Sequence, residues 1–189
     1  MSNPLTSPLP SSVVVGGEEI PVNTSHRVGI HFQEIVQRHI SDSAKVVLAL
    51  DAFYPTIPTD YTAAIQQMLW FFRCGKPEHD LSTQRVYDFA HDYDTIYASF
   101  MQSYGVDLLD TATDLHWWRF MAMLSGLPDD SPFMKVVGYR QVKIPAKAPK
   151  EQREFYAKMK RLHALPSEQS EMSIDDIYKA KFGVERPLP

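Results

Sequence analysis

Apolar side chains recur at steps of three and four residues through most of this 189-residue chain, and this spacing restricts its fold more than any other feature. In the first such segment, Val28, Phe32, Ile35 and Ile40 fall on one stripe, which predicts an amphipathic helix. The later segments repeat this spacing. The predicted helices cover about residues 25–40, 41–54, 59–74, 85–104, 115–124, 131–137 and 150–163.

Individual residues predict where these helices begin and end. Ser41, Asp60 and Ser131 are suited to helix N-termini because their side-chain oxygens accept backbone N–H bonds, and Pro132 fits a first helical position. Gly105 is suited to a C-terminal stop because glycine tolerates the left-handed conformation that often ends a helix. The sequence therefore predicts a mainly α fold, a compact multi-helix domain of about six to seven helices.

A β-hairpin is predicted before the first helix. Gly16 and Gly17 separate two short β-prone runs, and glycine supplies the positive φ that a two-residue hairpin turn requires. Pro21 restricts the second strand to a sheet edge because it lacks a backbone N–H. An isolated hairpin is marginally stable in water, so we expect it to lie against the helices.

Composition divides the chain into three parts. Residues 1–12 are rich in proline and serine, which predicts a flexible N-terminal arm. Residues 13–166 are expected to form a single domain containing the hairpin and the helices, a size that can bury a core. Residues 167–189 form a polar C-terminal tail, in which Ser173 indicates a short helix.

All three tryptophans lie in two short apolar runs, residues 69–76 and 115–124. Aromatic residues at this density either build a core or contact a partner. The second run is apolar nearly all round, so we expect Trp117 and Trp118 to lie mostly in the core. The first run is expected to leave some side chains outside its buried face. Its candidate partner-binding residues are Trp70, Phe71 and Arg73.

Charge and cysteine content exclude several classes of protein. The formal net charge of −4 disfavours nucleic acid as a partner, because nucleic-acid-binding domains are usually strongly basic. Cys74 is the single cysteine and cannot form an internal disulfide, which suits a reducing compartment. No apolar run reaches the roughly 18 residues of a membrane span. We expect a soluble protein that does not enter a membrane.

Residues with potential for catalysis are few. Asp88 and His91 are three residues apart, the spacing at which a helix presents a carboxylate and an imidazole to one metal ion. Such a site needs a second pair facing it, and none is evident. The more usual interpretation is a solvated acidic face formed by Asp88, His91, Asp92 and Asp94. Cys74 is expected to be structural. The sequence therefore predicts no enzyme activity, no cofactor and no bound metal.

The segment from Lys147 to Arg161, most of which lies in the last predicted helix, is the one clearly basic patch of the sequence. Such a run is most often a solvated helical face, but it also suits docking on an acidic partner surface. Nucleic acid is the less favoured alternative because of the overall charge. The candidate partner-binding residues of this segment are Lys150, Arg153, Lys158 and Arg161.

Several short motifs, in one order along the chain, resemble the "gene product fifteen" family of long-tailed phages and prophages of Gram-positive bacteria. The resemblance spans about residues 8–166. The motifs are Val15-Gly16-Gly17, residues 69–76, Tyr87-Asp88-Phe89, residues 96–100, residues 104–108, residues 115–120, residues 125–128, Gly138-Tyr139-Arg140 and Ala164-Leu165-Pro166.

The resemblance implies a protein of the phage tail module, whose gene lies near those of the major tail protein and the tape-measure protein. It also implies a role similar to tail-assembly chaperones, which coat the tape measure while tail-tube subunits polymerise. The implied partners are the tape-measure protein and the major tail protein, in the host cytoplasm, and self-association stays open. The family has no catalytic residues to transfer.

The primary hypothesis is therefore a non-enzymatic tail-assembly chaperone or accessory protein. A structural virion component, such as a tail-completion protein, is the alternative within the same setting. A metal-dependent hydrolase and a nucleic-acid-binding module are the alternatives from other classes.

Overall fold

A computed structural model describes residues 3–77, 85–144 and 147–166, and within these ranges the chain forms a hairpin followed by seven helices. The mainly α prediction is confirmed. The predictions for the tail, residues 167–189, lie outside the described residues. The elements are β1 (Ser12–Val15), β2 (Glu18–Pro21), α1 (His26–Gln37), α2 (Asp42–Phe53), α3 (Tyr61–Phe72), α4 (Tyr93–Tyr104), α5 (Trp117–Ser125), α6 (Pro132–Gln141) and α7 (Lys150–Leu162).

The hairpin forms where the sequence predicts it. β1 and β2 pair antiparallel with Val15 opposite Glu18, and the turn between them has φ of +59° at Gly16 and +88° at Gly17. These positive values are the reason that glycine is suited to both turn positions. Val13 and Val15 are buried in the core, and β1 contacts α3. The hairpin therefore lies on the helical body, as expected.

Three predicted caps are present with their hydrogen bonds. The Ser41 hydroxyl accepts the Ala44 N–H at the start of α2, and the Asp60 carboxylate accepts the Ala63 N–H at the start of α3. Ser131 caps α6, with Pro132 at the first helical position. Each cap satisfies a backbone donor that has no partner inside its helix.

The second tryptophan run is the centre of the core, as predicted. Trp117 is 0% exposed and Trp118 is 7% exposed. Their indole N–H groups donate to the backbone carbonyls of Phe72, at 3.0 Å, and Phe71, at 2.8 Å. Both carbonyls belong to the last turn of α3, where the regular helical ladder ends, and the Phe71 carbonyl also accepts the Cys74 N–H. The two tryptophans thus join α5 to the end of α3 by packing and by hydrogen bonds.

Residues before α1 and before α5 run alongside each other and hold the two helix starts together. Ser25 and His116 form an isolated antiparallel bridge. The Trp117 N–H donates to the Thr24 carbonyl at 2.7 Å, and the His26 N–H donates to the Leu115 carbonyl at the same distance. This junction holds two histidine rings, a buried one at His26 and a half-buried one at His116.

Both histidines of the junction use Nδ1 as an acceptor. His26 Nδ1 accepts the Leu115 N–H at 3.2 Å, and His116 Nδ1 accepts the Trp118 N–H at 3.1 Å. An imidazole that accepts through Nδ1 carries its proton on Nε2. The protonated ring has no acceptor nitrogen, so protonation of either side chain would break a bond at the junction.

Acidification is therefore expected to destabilise the fold as the pH falls through the unfolded histidine pKa of about 6.5. Burial is the largest cause that lowers the pKa of His26, assisted by Arg27 and opposed by Asp114. Burial likewise lowers the pKa of His116, assisted by Arg119 and opposed by its bond to Pro10. Because both folded pKa values lie below the unfolded value, about 6.5, the unfolded chain binds more protons in this range.

Thermal unfolding at several pH values measures this effect. The melting temperature should be constant above about pH 7.5 and should fall as the pH drops below about 6.5. His116→Asn should show a smaller fall, because an asparagine oxygen can accept the Trp118 N–H and does not titrate. If the melting temperature fell equally with pH in the wild-type chain and in His116→Asn, the result would contradict the role assigned to His116.

The prediction of a helix beginning near residue 85 is wrong, because α4 starts at Tyr93. Side-chain bonds hold the preceding segment in a turn: the Asp88 carboxylate accepts the His91 N–H at 2.7 Å, and the Asp92 carboxylate accepts the Asp88 N–H at 3.0 Å. Such bonds compete with the helical hydrogen-bond ladder. Asp88 and His91 therefore do not share a helical face.

Two of the four residues predicted to form a solvated acidic face are buried instead. Asp88 is 8% exposed and Asp92 is 3% exposed. Asp92 forms a bidentate ion pair with the buried guanidinium of Arg140, with both N–O distances at 2.6 Å. Arg140 also donates to the carbonyls of Val86 and His163. This arginine therefore connects α6 to the segment before α4 and to the end of α7.

Candidate partner-binding surface

Helix α7 is the least embedded helix in the described part of the chain, because none of its residues is buried. It packs against α6. The ring of Tyr139 on α6 stacks on His163 with a centroid distance of 5.5 Å and meets Phe155 edge-on at 6.3 Å. The Arg140 Nε donates to the His163 carbonyl at 2.5 Å. Helix α7 is thus attached to α6 along one side and at its C-terminal end, and the rest of the helix faces solvent.

Two large apolar side chains of α7 are exposed, although the ring of Phe155 also contacts Tyr139 on α6. Phe155 is 49% exposed and Leu162 is 68% exposed. They are seven residues apart, so they occupy the same side of the helix two turns from each other. Lys158 is three residues after Phe155 and four before Leu162, which places it beside both. Neither Phe155 nor Leu162 was predicted from the sequence to bind a partner, although their seven-residue spacing is typical of an apolar stripe on a helix.

Cations dominate the charge of α7. The helix has five cationic and two anionic side chains. Lys150 lies 3.8 Å from Glu154, an exposed pair that contributes little to stability. All four basic residues predicted for partner binding, Lys150, Arg153, Lys158 and Arg161, are exposed on this helix. We refer to these four residues together with Phe155 and Leu162 as the α7 surface.

The second group of candidate partner-binding residues, at the end of α3, is only partly at the surface. Phe71 is 0% exposed and packs against Phe53 and Trp118, so the expectation that this residue lies outside the buried face of the run is wrong. Trp70 is half-buried and meets the Trp118 ring edge-on at 5.5 Å. The helix presents Phe71, rather than Trp70, to the core because Phe71 lies on the same side as Ala64 and Met68.

Arg73 is half-buried and lines a groove of about 640 Å³ together with Trp118, Arg119 and residues of the N-terminal arm. The involvement of Trp70 and Arg73 in partner binding stays a prediction. The two predicted groups belong to different parts of the fold, since α3 packs against α2 and β1 whereas α7 packs against α6.

The side chains of Cys74, Asp88 and Asp92 are buried or half-buried in the fold. Burial raises the pKa of the Cys74 thiol to about 11, with nearby Lys76 acting in the opposite direction, so the thiol is protonated at neutral pH. The Asp92 carboxylate is bound to Arg140, and Asp88 pairs with Arg85. Among the described residues, no group of three or more His, Cys, Asp or Glu side chains is placed to hold a metal ion.

Comparison with known proteins agrees with the resemblance seen in the sequence motifs. The family model described as "Bacteriophage Gp15 protein" matches residues 5–165. The chain therefore belongs to the bacteriophage Gp15 protein family, a family of phage proteins. No curated protein and no solved structure matches the chain. Within the described residues, no helix has the length and apolar character needed to cross a membrane.

Proposed function

We propose that this protein is a non-enzymatic tail-assembly chaperone or accessory protein, which binds the phage tape-measure protein, the major tail protein, or both in the host cytoplasm. Membership of a phage protein family supports a role of this protein in a phage. The α7 surface is the observation that carries the proposal, because it combines exposed apolar side chains with an excess of cations on a helix that has no buried residue.

The chemistry of the α7 surface indicates the kind of segment it binds. Exposed Phe155 and Leu162 would lose contact with water against an apolar stripe of a partner helix, as in helix-to-helix recognition. The cations beside them favour a partner whose flanking residues are acidic. An acidic amphipathic helix meets both requirements, and covering such a helix would keep it from aggregating before it enters the tail.

Co-expression with the tape-measure and major tail proteins encoded by the same phage tests this function. The wild-type chain should form a stable complex with at least one of them. The double variant Lys158→Glu with Leu162→Ser should bind about tenfold or more weakly, because it removes an apolar contact and reverses a charge. Both side chains lie outside the core.

A matched control replaces an exposed apolar residue by serine and reverses the charge of a lysine elsewhere on the surface. Val47 is 60% exposed on α2 and Lys135 is exposed on α6, so Val47→Ser with Lys135→Glu should bind like the wild-type chain. Absence of any complex, or equal weakening by both double variants, would refute the assignment of the α7 surface. Mass spectrometry of purified virions distinguishes the alternative, since a chaperone should be absent and a structural virion component should be present.

A further inference from the structure

Two cations of the α7 surface have no partner in the described part of the chain. Lys158 and Arg161 are exposed, and neither forms an ion pair or a hydrogen bond with a described residue. The last eight residues of α7 include three cationic side chains and no anionic one. The third cation, Lys160, donates to the Val142 carbonyl at 3.4 Å. The C-terminal half of α7 therefore presents positive charge beside its exposed apolar side chains.

The chain continues after α7 with a segment of the opposite charge. Residues 167–178 lie outside the described residues, but their sequence contains no lysine or arginine and four carboxylates, those of Glu168, Glu171, Asp175 and Asp176. Ile177 and Tyr178 are three and four positions after Ile174, which is the spacing of neighbours on one side of a helix. The sequence of this segment is therefore acidic with apolar residues at helical spacing, which are the two properties that the α7 surface requires of a binding partner.

The acidic segment is also close enough along the chain to reach the α7 surface. Four residues separate it from Leu162, the last residue of α7. His163 is held on α6 by stacking on Tyr139 and by the bond from Arg140 to its carbonyl, so the chain leaves α7 at a fixed point. Residues 167–172 can span about 20 Å when extended, which is about the length of a helix such as α7. The residues that follow can therefore lie alongside either half of α7.

Attachment to the same chain makes even a weak contact sufficient. A short linker holds two groups at an effective concentration in the millimolar range. A contact with a dissociation constant of about 0.1 mM between separate molecules would therefore be formed most of the time within one chain.

We propose that residues 167–178 cover the α7 surface of the same chain, with their carboxylates facing Lys158 and Arg161 and their isoleucines packed on Phe155 and Leu162. This contact removes two exposed apolar side chains from water and pairs two cations that have no described partner. It occupies the surface assigned above to a tail protein, so a tail protein must displace it. That consequence rests on the proposed function, whereas the contact itself does not.

Cross-linking of the purified full chain with a carbodiimide tests the contact without any tail protein. The reagent activates a carboxylate, and a neighbouring lysine amine then forms an amide with it. Mass spectrometry of the monomeric product should show links from residues 167–178 to Lys158 or Lys150 on α7, and few to Lys135, which is exposed on α6. High salt should reduce the links to α7, because it screens exposed charges.

The positions of the links decide between occupants of the α7 surface. Links found only in cross-linked dimers would show that the segment of a second copy covers α7, and would overturn the proposal. Links from residues 167–178 only to lysines outside α7, or no links from this segment, would also overturn it.

Neutralising two carboxylates of the segment provides an independent measurement. Asp175→Asn with Asp176→Asn should accelerate hydrogen exchange of the α7 amides about threefold or more, because the helix loses its cover. Asp129→Asn with Asp130→Asn is the matched control, since these adjacent aspartates are exposed before α6, and it should leave the exchange of α7 unchanged. Equal α7 exchange in the wild-type chain and in the Asp175 and Asp176 double variant would contradict the proposed cover.

Binding of a tail protein tests the consequence for function. The double variant at Asp175 and Asp176 should bind a tail protein about threefold or more tightly than the wild-type chain, because less of the surface is occupied by a competing segment. Equal affinities would refute the competition. If neither chain bound any tail protein, the proposed function would fail, and the cross-links and the hydrogen exchange would still decide whether the segment covers α7.

Discussion

Replacing Gly29 by alanine should destabilise the protein by about 3 kcal/mol, the upper part of the usual range for overpacked cores. A Cβ atom at position 29 would lie 2.0 Å from Cε3 of Trp117 and 2.4 Å from its Cδ2. The indole cannot move away easily, since Trp117 is 0% exposed and its N–H donates to the Phe72 carbonyl. We therefore expect α1 and α5 to separate locally.

Thermal unfolding measures this effect, with a fall in melting temperature of about 10 °C for a domain of this size. Gly138→Ala is the matched control because Gly138 lies in helix α6 and a Cβ there meets nothing within 4 Å. That substitution should be neutral or slightly stabilising, since alanine favours the helix by up to about 1 kcal/mol over glycine. Similar melting temperatures for Gly29→Ala and the wild-type chain would contradict the close packing of Gly29 on Trp117.

Replacing Arg140 by an uncharged residue should lower the free energy of unfolding by a comparable amount. Arg140→Met leaves the buried Asp92 carboxylate without its cation, and breaking a buried ion pair in this way costs about 3–5 kcal/mol. The substitution also removes the donors to the Val86 and His163 carbonyls. Because His163 follows α7 directly, hydrogen exchange of the α7 amides should accelerate along with the loss of stability.

A double-mutant cycle separates the ion pair from the other bonds of Arg140. Asp92→Leu combined with Arg140→Met leaves no uncompensated charge, so it should be less destabilising than the sum of the two single changes. The exposed pair of Lys150 with Glu154 is the control, and Lys150→Gln should change the free energy of unfolding by less than about 1 kcal/mol. If the changes in the free energy of unfolding caused by the two single substitutions simply added in the double variant, Asp92 and Arg140 would not stabilise each other.

Most helices could be predicted because their signals are local. The caps at Ser41, Asp60 and Ser131 act on backbone groups within three residues, and the turn at Gly16 and Gly17 needs only the freedom of those two residues. The predicted α7 over residues 150–163 agrees closely with the observed helix because its sequence pattern extends over its whole length. Local interactions of this kind are present in the sequence itself.

The candidate site was only partly predictable. The basic residues of α7 were recognised by their charge, and their exposure agrees with that prediction. Phe71 was wrongly placed at the surface, because which side of α3 meets the core depends on the elements that pack against it. A groove beside His26, between α1 and α4, had no local signal, since its lining comes from α1, α4, α5, the segment before α4 and the loop before α5.

The sequence by itself determined the mainly α class, the hairpin, most helix boundaries and the phage family, because these depend on periodicity, caps and ordered motifs along the chain. Only the tertiary structure decided where α4 begins, which carboxylates are buried and which surfaces remain uncovered. Arg140 lies 48 residues from Asp92, and His26 lies 89 residues from Leu115. Around Asp88, local side-chain bonds compete with the helical pattern, and the ion pair of Asp92 with distant Arg140 ties the resulting turn to α6.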